Sequence, residues 1–248
     1  IDKMHQGDVL MLENIRFYPE EEKNSAEFAS HLASLADIYV FEAFATAHRK
    51  HASTYGIAKL LPSVIGFLVE HELEMFDKIM NNPSHPFVAI LGGAKVADKL
   101  PVVENLLNVA DTILIGGGMA YTFVKAIGGA VGNSIVDNSK LDLAKEILDK
   151  AKEKGVKIVL PTDNIGAKDF SEDAESKRFI SGFFDESYQG MDIGPKTVKM
   201  FKKAIKKAKT IVWNGPLGVY EYDRFKKGTN KIAKYVAKNY GNLSFPFR

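Results

Sequence analysis

Three times in this chain an apolar strand-length run leads straight into glycines and then into a helix-period segment. This recurrence constrains the fold more than any other feature. Phe87-Val88-Ala89-Ile90-Leu91 leads into Gly92-Gly93-Ala94-Lys95, and Thr112-Ile113-Leu114-Ile115 into Gly116-Gly117-Gly118. Ile211-Val212-Trp213 leads into Asn214-Gly215-Pro216-Leu217-Gly218. Nearly continuous apolar strands alternating with helices predict an α/β fold, with parallel sheets sandwiched by helices. The same reading places strands at 9–12, 38–41, 87–91, 112–115, 156–160 and 211–213. Helices are expected at 26–36, 69–80, 95–107, 141–154, 196–208 and 223–239. In one of them Leu141, Ala144, Ile147, Leu148 and Ala151 form a single apolar stripe.

In a parallel sheet the three glycine turns share the carboxyl edge, where open α/β folds bind ligands. Glycine lets backbone approach a ligand closely. A helix N-terminus adds free N–H groups and the positive end of a dipole, which suit phosphate. Lys95 and Lys99, one turn apart, add two ammoniums on one helical face, a pairing fit for a polyphosphate. The GxxxxGK[ST] spacing is absent, as is GxGxxG followed by a ribose-binding acid. The second absence counts against a dehydrogenase.

Arginines mark a second cluster. The run 9–12 ends in Glu13-Asn14-Ile15-Arg16, and the run 38–41 is followed by Thr46-Ala47-His48-Arg49-Lys50-His51. Arg16 and Arg49 are expected at carboxyl ends of strands, where a guanidinium fork suits a carboxylate or phosphate. Pairing with Glu13 or with Glu20 to Glu22 is the competing use for either. His48 and His51 lack a third ligand in the sequence, so no metal site is assigned.

Composition removes several classes. Cysteine is absent, which excludes disulfides and thiolate catalysis. Lys+Arg 33 against Asp+Glu 31 leaves +2, with no global basic footprint for nucleic acid. Seven lysines between Lys196 and Lys209 are read as the wet side of an amphipathic helix. The longest nearly apolar run, 60–69, contains Pro62 and Gly66 and falls short of the ~20 residues a spanning helix needs. No nucleic-acid or membrane partner is expected, and a cytoplasmic location is. The chain opens on Ile1 and reads as a piece of something longer or a processed product. Pro62, Gly66 and the stop signal Asn81-Asn82-Pro83 divide it into 1–65, a connecting helix at 66–82, and 83–248.

The stretches LENIRFYPEEEKN, AFATAHRKHAST, VAILGGAKVADK, ILIGGGMAYTF, GMDIGPKTV and IVWNGPLGVYEY, in this order, closely resemble phosphoglycerate kinase. The resemblance runs from about Asp8 to about Lys238. It implies a Rossmann-like nucleotide domain at 83–248 lacking its C-terminal end, and an incomplete substrate-binding α/β domain at 1–65. The implied reaction is reversible phosphoryl transfer between 1,3-bisphosphoglycerate and ADP, giving 3-phosphoglycerate and ATP, with Mg²⁺, in a monomer that closes about a hinge. Arg16 and Arg49 match phosphoglycerate-binding arginines, Lys95 the lysine at the transferring phosphoryl, and Lys99 a lysine on the nucleotide phosphates. Gly93 and Ala94 lie in the matching glycine turn. Gly117, Gly190 and Met191 match positions around the adenine; Asn214 lies near the phosphates, and Val219 and Glu221 at the ribose. No metal ligand carries over. Phe41, Glu42 and Ala45 depart from the family pattern, and Pro101 is expected at about the first turn of its helix. The family's other substrate arginine and its metal-binding Asp have no counterpart here. The expectation is weak or no turnover with residual ADP or ATP affinity. A nucleotide-binding module without catalysis is the alternative.

Overall fold

The computed structural model describes residues 3–240, which divide at Lys78/Ile79 into two compact units. In the smaller unit, α1 (Pro19–Glu22) and α2 (Ala26–Ala33) precede a two-stranded parallel sheet. Its strands are β1 (Tyr39–Phe41) and β2 (Ser63–Ile65), with Phe41 opposite Ile65. β2 was not anticipated, whereas the strand expected at 9–12 is absent: no described strand pairs with that segment, and Val9 and Met11 stand 95% and 91% exposed. Helix α3 (Phe67–Asn81) follows, and the division between units falls inside it. Glu42, a departure from the family pattern, accepts the N–H groups of Leu68 (2.9 Å) and Val69 (3.1 Å). It therefore caps two orphan donors of the first turn of α3. Ala45 sits in the right-handed turn Phe44–Thr46, so nothing there requires positive φ.

The larger unit is built on the parallel sheet β5–β4–β3–β9, formed by β3 (Phe87–Leu91), β4 (Thr112–Ile115), β5 (Lys157–Val159) and β9 (Thr210–Asn214). β3 is buried along its whole length because both its faces are covered. Phe87, Ala89 and Leu91 pack on one side with α4 (Val96–Leu106), α5 (Met119–Ala126) and α6 (Leu141–Glu153). Val88 and Ile90 pack on the other with α7 (Pro195–Ile205) and α8 (Lys227–Tyr240). The alternation is the period of two that a strand imposes. Pro101 is the sixth residue of α4 rather than part of its first turn, so the Ala97 carbonyl loses its usual intrahelical donor.

A second sheet was not foreseen. β7 (Ser176–Ile180), β6 (Asp163–Ala167) and β8 (Gln189–Ile193) form an antiparallel sheet in the order β7–β6–β8. These strands are polar, two of them carry a glycine, and they lack the apolar runs of the parallel sheet. Its register shifts between Ile165 and Gly166: Ile165 faces Asp192 while Gly166 faces Gly190, leaving Met191 as the extra residue of a bulge.

The expected amphipathic helix forms as α7, with Val198, Phe201 and Ile205 buried beneath its lysines. Phe201 is fully buried. Phe201→Ala is expected to destabilise the larger unit by about 3–5 kcal/mol, the usual cost of emptying a buried aromatic position. Thermal and denaturant melts of the variant against the parent chain measure it.

Candidate functional site

Strand register brings the glycine turns together. Leu91 pairs with Ile115 on one side and with Asn214 on the other, so three strands end at one level. Beyond that level the turns bond to each other. Gly92 donates its N–H to the Asn214 carbonyl (2.9 Å), Gly93 to Pro216 (2.8 Å) and Gly117 to Leu217 (3.1 Å). The Gly93 carbonyl accepts from Met119, the first residue of α5 (2.9 Å). At Gly117 the backbone takes φ 63°, and an added Cβ would stand 2.5 Å from the Gly93 nitrogen. Only glycine meets both conditions without displacing the neighbouring turn.

Over these turns lies a pocket of about 520 Å³, within the range of small-ligand sites. Gly93, Ala94 and Gly117 line its base, Gly190 and Met191 one wall, and Val219 and Glu221 another part of the rim. All seven are sequence-predicted nucleotide residues. The bulge at Met191 contributes directly: freed from the ladder, its carbonyl accepts the Val219 N–H (2.8 Å) and fastens the Val219–Glu221 stretch to β8. The Gly190 N–H is taken by the Ser134 hydroxyl (2.8 Å).

Tyr121, Phe170, Gln189 and Tyr222 also line the pocket and were missed. Tyr121 closely follows the triple glycine, which was an available signal; Phe170 and Tyr222, with ring centroids 5.4 Å apart, had none. The Tyr121 hydroxyl accepts from Asn164 Nδ2 (3.3 Å), and burial raises its pKa, so it stays a neutral phenol.

The remaining predicted residues are placed differently. Asn214 ends β9 and contributes its carbonyl to Gly92. Lys99 folds back from α4 onto the Gly92 carbonyl, and burial lowers its pKa. Lys95 is the N-cap of α4, outside the helix, and lines an adjoining recess of about 420 Å³ with Asp98 and Asp137. The one-face pairing expected of two helical lysines is therefore not formed. The recess shares Ala94 and Ile135 with the pocket.

In the smaller unit, Arg16 lies in the turn Ile15–Phe17, and Arg49 lines a recess of about 340 Å³ beside Tyr39 and Tyr55. Among the described residues neither guanidinium forms an ion pair. Glu21, weighed as an arginine partner, is instead buried against Ser53, accepting its N–H (2.9 Å) and hydroxyl (2.6 Å), with His51 Nδ1 at 3.7 Å. Among the described residues no group of three or more His, Asp or Glu is arranged to hold a metal ion by itself. Glu221 is the only acid lining the pocket among them. Mg²⁺ takes one or two carboxylates together with substrate phosphates, and Asp98 and Asp137, which line the recess beside Lys95, are oxygen donors of that kind.

The phosphoglycerate kinase family model matches residues 1–245. Phosphoglycerate kinase of Dictyoglomus turgidum is 52% identical over 239 residues, covering 96% of this chain and 60% of the relative. That of Pseudothermotoga lettingae is 54% identical with the same coverage. The structure of phosphoglycerate kinase from Coxiella burnetii superposes with a TM-score of 0.78 at 42% identity, covering 92% of this chain and 59% of that one. The chain thus spans about three-fifths of the length of these relatives.

The pocket wall supplies a test. A Cβ on Gly190 would lie 1.8 Å from the Tyr121 hydroxyl oxygen, with the ring carbon behind it at 2.0 Å. Gly190→Ala is expected to cost about 1–3 kcal/mol of stability, as overpacking does. Thermal unfolding reads the loss, and an unchanged melting temperature contradicts this wall geometry.

Proposed function

This chain belongs to the phosphoglycerate kinase family, and we propose that its larger unit binds ADP or ATP for phosphoryl transfer to and from phosphoglycerate. The observation that carries the reading is the set of mutually bonded glycine turns beneath the pocket, with a cationic side chain already seated on them. The adenine would lie among Gly117, Gly190 and Met191, in the mostly apolar part of the pocket. Val219 and Glu221 would face the ribose, where a carboxylate can accept from both hydroxyls.

The phosphates would extend over Gly93, Ala94 and the N-terminus of α4, a helix long enough to present an effective dipole. Lys99 would exchange the Gly92 carbonyl for a phosphate oxygen, a stronger charge-assisted bond. Lys95, at the helix start, would accompany the transferring phosphoryl. Asn214 would stay beneath the phosphates as part of the strand end. Arg16 and Arg49, which no acid among the described residues pairs, would bind 3-phosphoglycerate or 1,3-bisphosphoglycerate through its phosphate or carboxylate.

The acceptor in the ATP-consuming direction is a carboxylate, ionised near neutral pH, so no general base is required. Charge neutralisation and alignment then supply the rate. Mg²⁺ bound to the nucleotide would add charge neutralisation of its own, with Asp98 and Asp137 of the recess as the acids that would hold it; the rest of the chain's contribution is the lysines and backbone N–H groups. The domain roles follow the same reading: a substrate-binding unit, α3 as connector, and a nucleotide-binding unit. We place the protein in glycolysis as a cytoplasmic monomer. No helix among the described residues is long and apolar enough to cross a membrane.

Titration of the chain with Mg²⁺-ADP tests the nucleotide assignment. Lys99→Ala is expected to weaken binding by about 1.5–3 kcal/mol, the worth of one hydrogen bond to a charged group. Equal affinity in variant and parent would move the phosphate site away from these turns.

A further inference from the structure

Asp192 is a buried acid for which the transfer reaction has no evident use. It is 3% exposed and directly follows Met191 in β8. One carboxylate oxygen, Oδ1, accepts the N–H of Ile193 (2.8 Å). The other, Oδ2, accepts the N–H of Gly228 (2.7 Å), the second residue of α8. Glycines pack against this carboxylate from two sides: a Cβ on Gly218 or on Gly228 would lie 2.4 Å from Oδ1. Gly218 lines the pocket. Its neighbour Leu217 donates its N–H to the Thr229 hydroxyl of α8 (3.0 Å), and Val219 is held by the Met191 carbonyl.

The strap at Leu217, Gly218 and Val219 is thereby gripped between β8 and the start of α8, with the Asp192 carboxylate at the junction. We propose that Asp192 is the positioning residue of the nucleotide pocket, holding the β8 wall, the Gly218 strap and the N-terminus of α8 in one arrangement while it is ionised. The inference rests on the nucleotide reading of the pocket.

Charge explains why ionisation matters. Burial pushes the Asp192 pKa up to about 7, against the pull of its two backbone donors and of Lys231 and Lys227 on α8. Tyr121 on α5 is the further titratable group acting on it, and it stays neutral. Protonation replaces an acceptor by a hydroxyl donor where a backbone N–H already points, and so weakens one of the two bonds. The grip is complete above pH 7 and loosens as pH falls through that value. Stability moves the other way. With the folded pKa raised above 3.8, the folded chain retains a proton that the unfolded chain has lost, so stability declines as pH rises from 3.8 to about 7. Affinity and stability with opposite pH trends separate positioning from simple structural support.

Calorimetric titration with Mg²⁺-ADP from about pH 5.5 to about pH 8.5 tests this on the parent chain, Asp192→Asn and Lys231→Met. Titration of the nucleotide phosphate is common to all three, so the parent-to-Asn ratio of affinities isolates Asp192. That ratio is expected to grow roughly tenfold through neutrality, the worth of one charge-assisted hydrogen bond. Lys231→Met removes an exposed charge that favours the carboxylate, and is expected to move the midpoint of the rise to higher pH. A ratio constant with pH, or a midpoint unmoved in Lys231→Met, overturns the proposal. Should Asp192→Asn not fold, the parent-to-Lys231→Met ratio of affinities, in which the nucleotide's own titration also cancels, is expected to pass through a maximum near neutrality, and a ratio constant with pH overturns the proposal. Failure of the parent chain to bind ADP at any pH overturns the nucleotide reading and the inference with it. ADP binding by the parent without pH dependence beyond that of the nucleotide overturns the role of Asp192 alone.

Discussion

Backbone amides at the ends of β3, β4 and β9 satisfy one another, and the site depends on that exchange. In most folds the N–H groups just past a strand look to water or to a cap. Here Gly92, Gly93 and Gly117 donate to Asn214, Pro216 and Leu217, so three loops distant in sequence become one surface. A side chain on Gly117 would collide with Gly93, and so the glycine content of the edge is a condition of the bonding rather than a consequence of flexibility. Burial of β3 on both faces fixes the level at which the strands end, which in turn fixes where the amides meet.

The parallel sheet and its helices were legible because apolar runs and helical stripes carry a strong periodic signal. Phe87–Leu91, Leu141–Glu153 and Pro195–Ile205 appear close to where pattern placed them. The antiparallel sheet was not legible: Asp163–Ala167 and Gln189–Ile193 mix glycine and acids, and their burial comes from partners far away in the chain. The run 9–12 shows the opposite failure, since strand-forming residues make no strand without a neighbour to pair with. For the site, the glycine turns were visible as local sequence. Gly190, Met191, Val219 and Glu221 carried no local signal and entered through family resemblance. The bulge and the pocket aromatics Phe170 and Tyr222 were invisible, because no spacing rule encodes a register shift.

Acids in the smaller unit serve architecture. Glu21 is buried against Ser53 and Glu42 closes the first turn of α3, each neutralising backbone donors that would otherwise be unpaired. Among the described residues Arg16 and Arg49 form no ion pair with a carboxylate. A cation free of internal counter-ions is better able to meet an external anion, because no existing pair must first be broken.

Chain-length variation would act unequally on β8. Deleting Met191 would restore an unbroken ladder, with Gly190 and Asp192 still opposite Gly166 and Ile165. The sheet would be more regular, yet the strap would lose the carbonyl that anchors Val219. Sheet regularity and binding competence are therefore opposed at this strand. An irregularity that costs hydrogen-bond order is the feature a shortened chain could least spare.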